Sequence, residues 1–152
     1  MLERFAMIKI TKESSVSIDD VLHLYQAVGW TNYTNQLQML EQALSHSLAT
    51  YLARDGEAIV GLVRLVGDGF SSVFVQDLIV LPSYQRQGIG SNLMKEALAD
   101  YKDAYQIQLV TEQTEKTLGF YRSLGFETLS TYDCTGMIWV DRKNLNNSFI
   151  LS

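Results

Sequence analysis

Ser72-Val73-Phe74-Val75-Gln76-Asp77-Leu78-Ile79-Val80-Leu81-Pro82-Ser83-Tyr84-Gln85-Arg86-Gln87-Gly88-Ile89-Gly90-Ser91 decides the fold. The run Val73 to Leu81 is nearly all apolar and rich in Val, Ile and Phe, as suits a strand buried on both faces of an α/β sheet. Pro82 cannot donate to a ladder, so the strand stops there. Beyond Gly90, apolar residues fall at Ile89, Leu93, Met94, Ala97, Leu98 and Tyr101, which is helical spacing. The stretch therefore reads as strand, short loop and helix, with two glycines where the helix begins.

Such a helix start is suited to anions. Its first N–H groups lack internal partners and carry the positive end of the helix dipole. Glycines let a ligand approach the backbone, and Arg86 adds a fixed charge with a planar fork of donors. Two other phosphate motifs fail here. Lys95 lies too far along for a P-loop, and Leu93 stands where a dinucleotide fingerprint needs a third glycine. Gln85-Arg86-Gln87-Gly88-Ile89-Gly90 instead fits Gln/Arg-x-x-Gly-x-Gly/Ala. With the strand before it, the stretch closely resembles the GNAT superfamily of N-acetyltransferases.

The resemblance implies acetyl-CoA as cosubstrate. The loop from Gln85 to Ser91, with Arg86, Gln87, Gly88, Ile89 and Gly90, would hold its pyrophosphate, and the backbone of Leu78, Ile79 and Val80 would pair with the pantetheine arm. A second signature of the family is Phe120-Tyr121 to Gly125-Phe126, in which the tyrosine matching Tyr121 points at the coenzyme sulfur. The segment around Glu115 departs from the pattern: many relatives carry an Asn there, against the pantetheine. The resemblance covers about Met7 to Val140.

The rest of the chain supplies the elements such a fold needs. Its 152 residues, 47% of them hydrophobic, suffice for a single domain over 1–152. Strands are predicted at Ala6–Thr11, Thr50–Arg54, Ala58–Val66, Val73–Leu81, Ile107–Thr111, Phe126–Thr131 and Gly136–Val140. Asp55-Gly56 marks a hairpin. Helices are predicted from Ser17, an N-cap, to Gly29; over Leu37–Leu48; from Ile89 to Tyr101; and over Thr114–Leu124. The expectation is a mixed α/β fold of the GNAT type: a mostly antiparallel sheet of six to seven strands flanked by four helices.

Composition narrows the function. The formal charge is −5 with no dense basic run, which argues against nucleic-acid binding. No stretch is apolar enough to span a bilayer, and the first residues do not read as a signal peptide. Cys134 is the only cysteine, which fits a reducing cytoplasm. No His, Cys or Asp cluster has metal-ligand spacing, so no metal is expected. His23 and His46 are lone residues on helix patterns. The partner expected is an amine, in a small molecule or a peptide, and many members of the resembled family are dimers.

The chemistry expected is direct attack by a neutral amine on the thioester in a ternary complex. Tyr121 would donate to the departing sulfur, since a phenol titrates near about 10 and a thiol near about 8.5. Asp77, inside an apolar strand, must find a partner or shift its pKa. It reads either as the acceptor of the amine's proton or as a structural hydrogen-bond acceptor. Trp30 and Tyr33, between the first two helices, either line the acceptor pocket or cover the core. A cysteine nucleophile at Cys134 lacks an evident His partner. The alternative to an enzyme is a coenzyme-binding regulatory or interaction module without turnover.

Overall fold

The computed structural model describes residues 7–139 and 141. Among them one five-stranded mixed sheet carries the fold, in the order β1-β2-β3-β4-β5. The strands are β1 (Ile8–Glu13), β2 (Ala49–Asp55), β3 (Ala58–Gly67), β4 (Ser72–Val80) and β5 (Gln106–Leu109). The helices are α1 (Ile18–Ala27), α2 (Thr31–Thr34), α3 (Leu37–Ser45), α4 (Ile89–Tyr101) and α5 (Glu115–Ser123). β1 to β4 pair antiparallel, and β5 lies parallel to β4 after the crossover through α4.

Local signals explain most boundaries. The Ser17 side chain accepts from the Asp19 amide and opens α1, and Gly29, at φ 70°, follows its end in the left-handed region. Gly56, at φ 61°, turns the β2–β3 hairpin. Thr114 caps α5 by accepting from the Thr117 amide. Asp68 holds the β3–β4 turn by accepting from the amides of Phe70, Ser71 and Ser72.

The strand count corrects the expected six to seven, and the helix count corrects the expected four. Ala6 and Val140 lie outside the described residues, and the first strand runs from Ile8. The extra helix is the single turn α2 inside the connection that carries Trp30 and Tyr33. No strand forms among the described residues of 126–139. Leu129–Tyr132 coils into a 3-10 turn that ends at Asp133, φ 57°. The Thr128 hydroxyl lies 3.0 Å from that of Ser130 and 3.3 Å from that of Thr131. Ser and Thr favour such local bonds over a ladder, and they outweigh the β-propensity of Phe126–Thr131 here.

Two apolar layers cover the sheet. One holds Val63, Leu65, Val73 and Val75 against Ile89, Leu93, Met94 and Ala97 of α4, with Phe120 and Tyr121 of α5 beside them. The other holds Leu52, Leu62 and Ile79 against Val21, Leu24, Tyr25, Leu40 and Leu44 of α1 and α3. β4 serves both layers through a bulge. Arg64 faces Asp77, but Leu65 faces Val75, so Gln76 is the extra residue on β4. Before the bulge, Val73 and Val75 face α4. After it, Ile79 faces α1 while Leu78 and Val80 face α4.

Candidate active site

The β4–β5 ladder is short. It runs from Ser72 opposite Gln106 to Val75 opposite Leu109 and stops. β4 continues to Val80, so five of its residues, Gln76 to Val80, extend past the last rung. β5 ends at Leu109 with the ladder, so past the bulge the β4 edge on that side carries no β5 rung, and this open edge is the wedge. Of the three residues expected to pair with a pantetheine arm, Leu78 and Val80 are half-buried toward α4, and Ile79 is buried toward α1.

At the far end of the wedge, Leu81 donates to the Val60 carbonyl and Pro82–Tyr84 forms a 3-10 turn. The loop is tied down twice: the Tyr84 hydroxyl donates to Asp55 at 2.6 Å, and the Gln85 side-chain Nε2 donates to the Val80 carbonyl at 3.1 Å. Arg86 holds φ 65°, which is uncommon for a residue with a Cβ, and Gly88 follows at φ 80° as the N-cap of α4. No side chain caps that helix start. The amides of Ile89, Gly90 and Ser91 are the ones an α-helix leaves without internal partners. Gln85 to Gly88 are exposed, while Ile89 is 3% exposed and anchors the helix. A Cβ added at Gly88 would meet nothing within 4 Å, so the backbone there is open to a ligand. These features fit a pyrophosphate followed by an extended arm.

α5 borders the wedge. A Cβ on Gly90 would lie 3.7 Å from the Phe120 ring, which brings the two predicted signatures together. Next to Phe120, Tyr121 is half-buried, its ring edge-on to Phe120 at 5.0 Å and to Phe126 at 5.9 Å. Burial pushes its phenol above the usual value near 10, with a hydrogen bond to Thr111 acting in the opposite sense. It therefore stays a proton donor throughout the neutral range.

On the opposite face, Asp77 is 1% exposed and holds three donors. Arg64 Nε donates to Oδ2 at 2.8 Å, the Tyr25 hydroxyl to Oδ2 at 2.8 Å, and the Tyr33 hydroxyl to Oδ1 at 2.8 Å. Arg64, 3% exposed, also donates to the Tyr33 oxygen at 3.2 Å and to Ser47 Oγ at 3.2 Å. Burial and the Asp77 charge push both phenols up, and the ion pair holds Arg64 firmly protonated. The geometry favours the structural role of Asp77 over an acceptor of the amine's proton. Tyr33, 6% exposed, belongs to this network, while Trp30 is half-buried and packs tilted against it at 6.4 Å.

Arg64 and Tyr25 were not singled out in the sequence. The signal was present for Arg64: it is a lone charge in the apolar run Ala58–Val66, one hairpin away from the lone charge of Asp77. Tyr25 sits in a helical apolar stripe, where nothing separates it from a packing residue. Cys134 is exposed, its thiol directed at the Tyr132 carbonyl at 3.4 Å. His23 contacts the Ile59 carbonyl and His46 that of Gln42. Among the described residues no group of three His, Cys, Asp or Glu is placed to hold a metal ion.

An uncapped helix start beside an open strand edge can take a phosphate group followed by an extended arm. The chain belongs to the GNAT acetyltransferases: the model of the acetyltransferase (GNAT) domain matches residues 46–128. The GNAT-family acetyltransferase SP0256 of Streptococcus pneumoniae TIGR4 is 75% identical to it, over 90% of this chain and 99% of that one, with a TM-score of 0.83. Serotonin N-acetyltransferase 2, chloroplastic, of Oryza sativa subsp. japonica is 32% identical over 95 residues, 60% of this chain. That match spans 48%, about half, of the rice enzyme. The fold is also that of a GNAT family acetyltransferase from Elizabethkingia anophelis with acetyl-CoA bound, at 21% identity and a TM-score of 0.59, covering 79% and 76% of the two chains.

Proposed function

We propose that this acyltransferase moves an acetyl group from acetyl-CoA to a primary amine, with both substrates bound together. The observation that carries the reading is the wedge past Val75, which leads from the bulge at Gln76 to the uncapped start of α4. The amides of Gly88 to Ser91 and the Arg86 side chain would hold the pyrophosphate, and the backbone of Leu78 to Val80 would pair with the pantetheine arm, with the Gln85 side chain giving way at the Val80 carbonyl. Bound there, acetyl-CoA supplies a thioester that a neutral amine attacks directly.

The residues then divide the work. Past the last β4–β5 rung, a backbone amide of the open β4 edge can donate to the carbonyl oxygen as charge develops. Tyr121 donates to the sulfur as it departs. Trp30 borders the acceptor side. Asp77 is engaged by three donors, so the amine gives its proton to water or to a group not yet assigned. An aromatic or apolar amine suits the ring of Trp30, and the rice relative is named for such an acceptor. A cytoplasmic location and a homodimer are part of the same proposal.

The test is to mix the protein with acetyl-CoA and a panel of aromatic amines, polyamines, aminoglycosides and peptides, and to follow free thiol. Sustained release with one amine class supports transfer. Coenzyme binding without turnover across the panel makes the chain a coenzyme-binding module.

A further inference from the structure

The two edges of the sheet are built differently. β1 is Ile8-Lys9-Ile10-Thr11-Lys12-Glu13, half of it charged, and charges on an outermost strand discourage pairing with another chain. β5 is Gln106-Ile107-Gln108-Leu109, short but without a charge or a proline, and among the described residues no strand pairs with its outer edge. Beside it lies a groove of about 630 Å³ whose apolar lining includes Ile107, Leu124, Phe126, Leu129 and Tyr132. The one charged residue in that lining is Glu127, which accepts from Arg122 at 3.1 Å. A Cβ on Gly136 would sit 3.9 Å from a Leu129 methyl, so the apolar run Met137-Ile138-Trp139 starts at the rim of this groove. Met137 is 95% exposed and Trp139 83%, and Tyr105, just before β5, is 81% exposed.

We propose that this face is where two copies of the chain meet, with the run 137–139 of each lying against the β5 groove of the other. The proposal gives a surface to the homodimer read above and is independent of the acetyl-CoA reading. Run and groove are both exposed on one chain, and a two-fold axis sets each against its complement in a single closed contact. The area suffices. A large aromatic side chain offers about 150–250 Å². At their exposures, Tyr105, Tyr132, Trp139, Met137 and Ile138 together present roughly 800 Å², the share one partner gives to a standard interface. That is more contiguous apolar surface than a monomer ordinarily leaves uncovered. The formal charge of −5 does not oppose the contact, because the groove lining holds one negative charge and that one is paired. The outer edge of β5 supplies direction, since a strand edge offers its N–H and C=O groups to an extended run.

Sedimentation velocity on the full chain, from about 1 to 100 μM, tests it by mass action. The wild type should sediment as a dimer at the upper end. Met137→Glu combined with Trp139→Glu changes two exposed side chains and places like charges in the interface, which should weaken association at least about a hundredfold. Met7→Glu makes the same change at an exposed residue beside β1, on the opposite edge, and should leave association as it is. A second measurement needs no variant. Amide hydrogen exchange across residues 106–109 of the wild type should slow as concentration passes through the dimerisation range. A wild type that stays monomeric over the whole range overturns the proposal and the homodimer reading together. A dimer whose exchange at 106–109 ignores concentration, or which the double variant leaves intact, overturns this surface and keeps the homodimer. Dissociation by Met7→Glu to the same extent assigns the contact to the β1 edge and overturns the proposal too. None of these outcomes touches the stabilisation by coenzyme A, so the acetyl-CoA reading stands or falls separately.

Discussion

Gly90 and Phe120 stand against each other across the mouth of the wedge: a Cβ on the glycine would sit 3.7 Å from the ring and 3.6 Å from a Val80 methyl. These are ordinary contact distances, so the fold itself admits a side chain at Gly90. The glycine is instead needed for what must approach the helix start. Gly90→Glu should fold and yet lose the coenzyme, through bulk and like charge. At a coenzyme A concentration of about a hundred times Kd, the wild type should gain about 2.7 kcal/mol, a rise in Tm of several degrees. The variant should show no rise in a thermal shift assay. An undiminished rise in a folded Gly90→Glu protein removes this loop from the site.

Tyr121→Phe keeps the ring and its edge contacts to Phe120 and Phe126 and removes only the hydroxyl. A general acid contributes about 10²–10⁴-fold, and a thiolate leaving group places the loss at the lower end. The loss should fall on kcat, with coenzyme binding little changed. The pH dependence follows from the direction of the shift. Because burial holds the phenol above its usual value near 10, Tyr121 remains protonated through neutral and mildly alkaline pH. Any fall in kcat from its ionisation should lie above about pH 10. A Phe variant with wild-type kcat, measured where chemistry limits the rate, makes Tyr121 a packing residue.

Trp30 and Tyr33 are expected to separate. Trp30 is half-buried beside the network, whereas Tyr33 is nearly sealed and gives its hydroxyl to Asp77. Trp30→Ala should raise KM for the amine more than KM for acetyl-CoA. Tyr33→Phe should instead lower stability by about 1.5–3 kcal/mol, the usual worth of a hydrogen bond to a charged group. Denaturant unfolding alongside steady-state kinetics distinguishes them. If Trp30→Ala loses stability alone, it covers the core and does not line the acceptor side.

Cys134 is exposed, and its thiol is directed at a backbone carbonyl in a turn beyond α5. Direct transfer predicts that Cys134→Ala keeps most of its activity and that double-reciprocal lines intersect. Parallel lines together with an acetylated Cys134, seen by mass spectrometry, would establish a covalent route.

The stretch from Val73 to Ser91 was legible in the sequence because its signals are local. A β-rich apolar run, a proline stop, two glycines and a 3.6-residue stripe act within a few residues of one another. The position of Tyr121 was legible for the same reason, through the glycine that ends its helix. The segment Phe126–Thr131 was misread because its β-branched residues are threonines, whose hydroxyls bond locally with that of Ser130 and with each other, and β-propensity does not weigh that competition.

The sequence by itself determined that a helix start open to anions follows a buried strand. Only the tertiary structure shows which groups Asp77 is bonded to. Its partners lie 13, 44 and 52 residues away along the chain, at Arg64, Tyr33 and Tyr25. They reach it because the bulge at Gln76 turns Asp77 toward α1 and α2, and because β3 presents Arg64 directly opposite. A lone buried carboxylate announces that it needs donors. Which donors arrive, and whether any capacity remains for a substrate, depends on how strands and helices pack, and that is a property of the assembled layers.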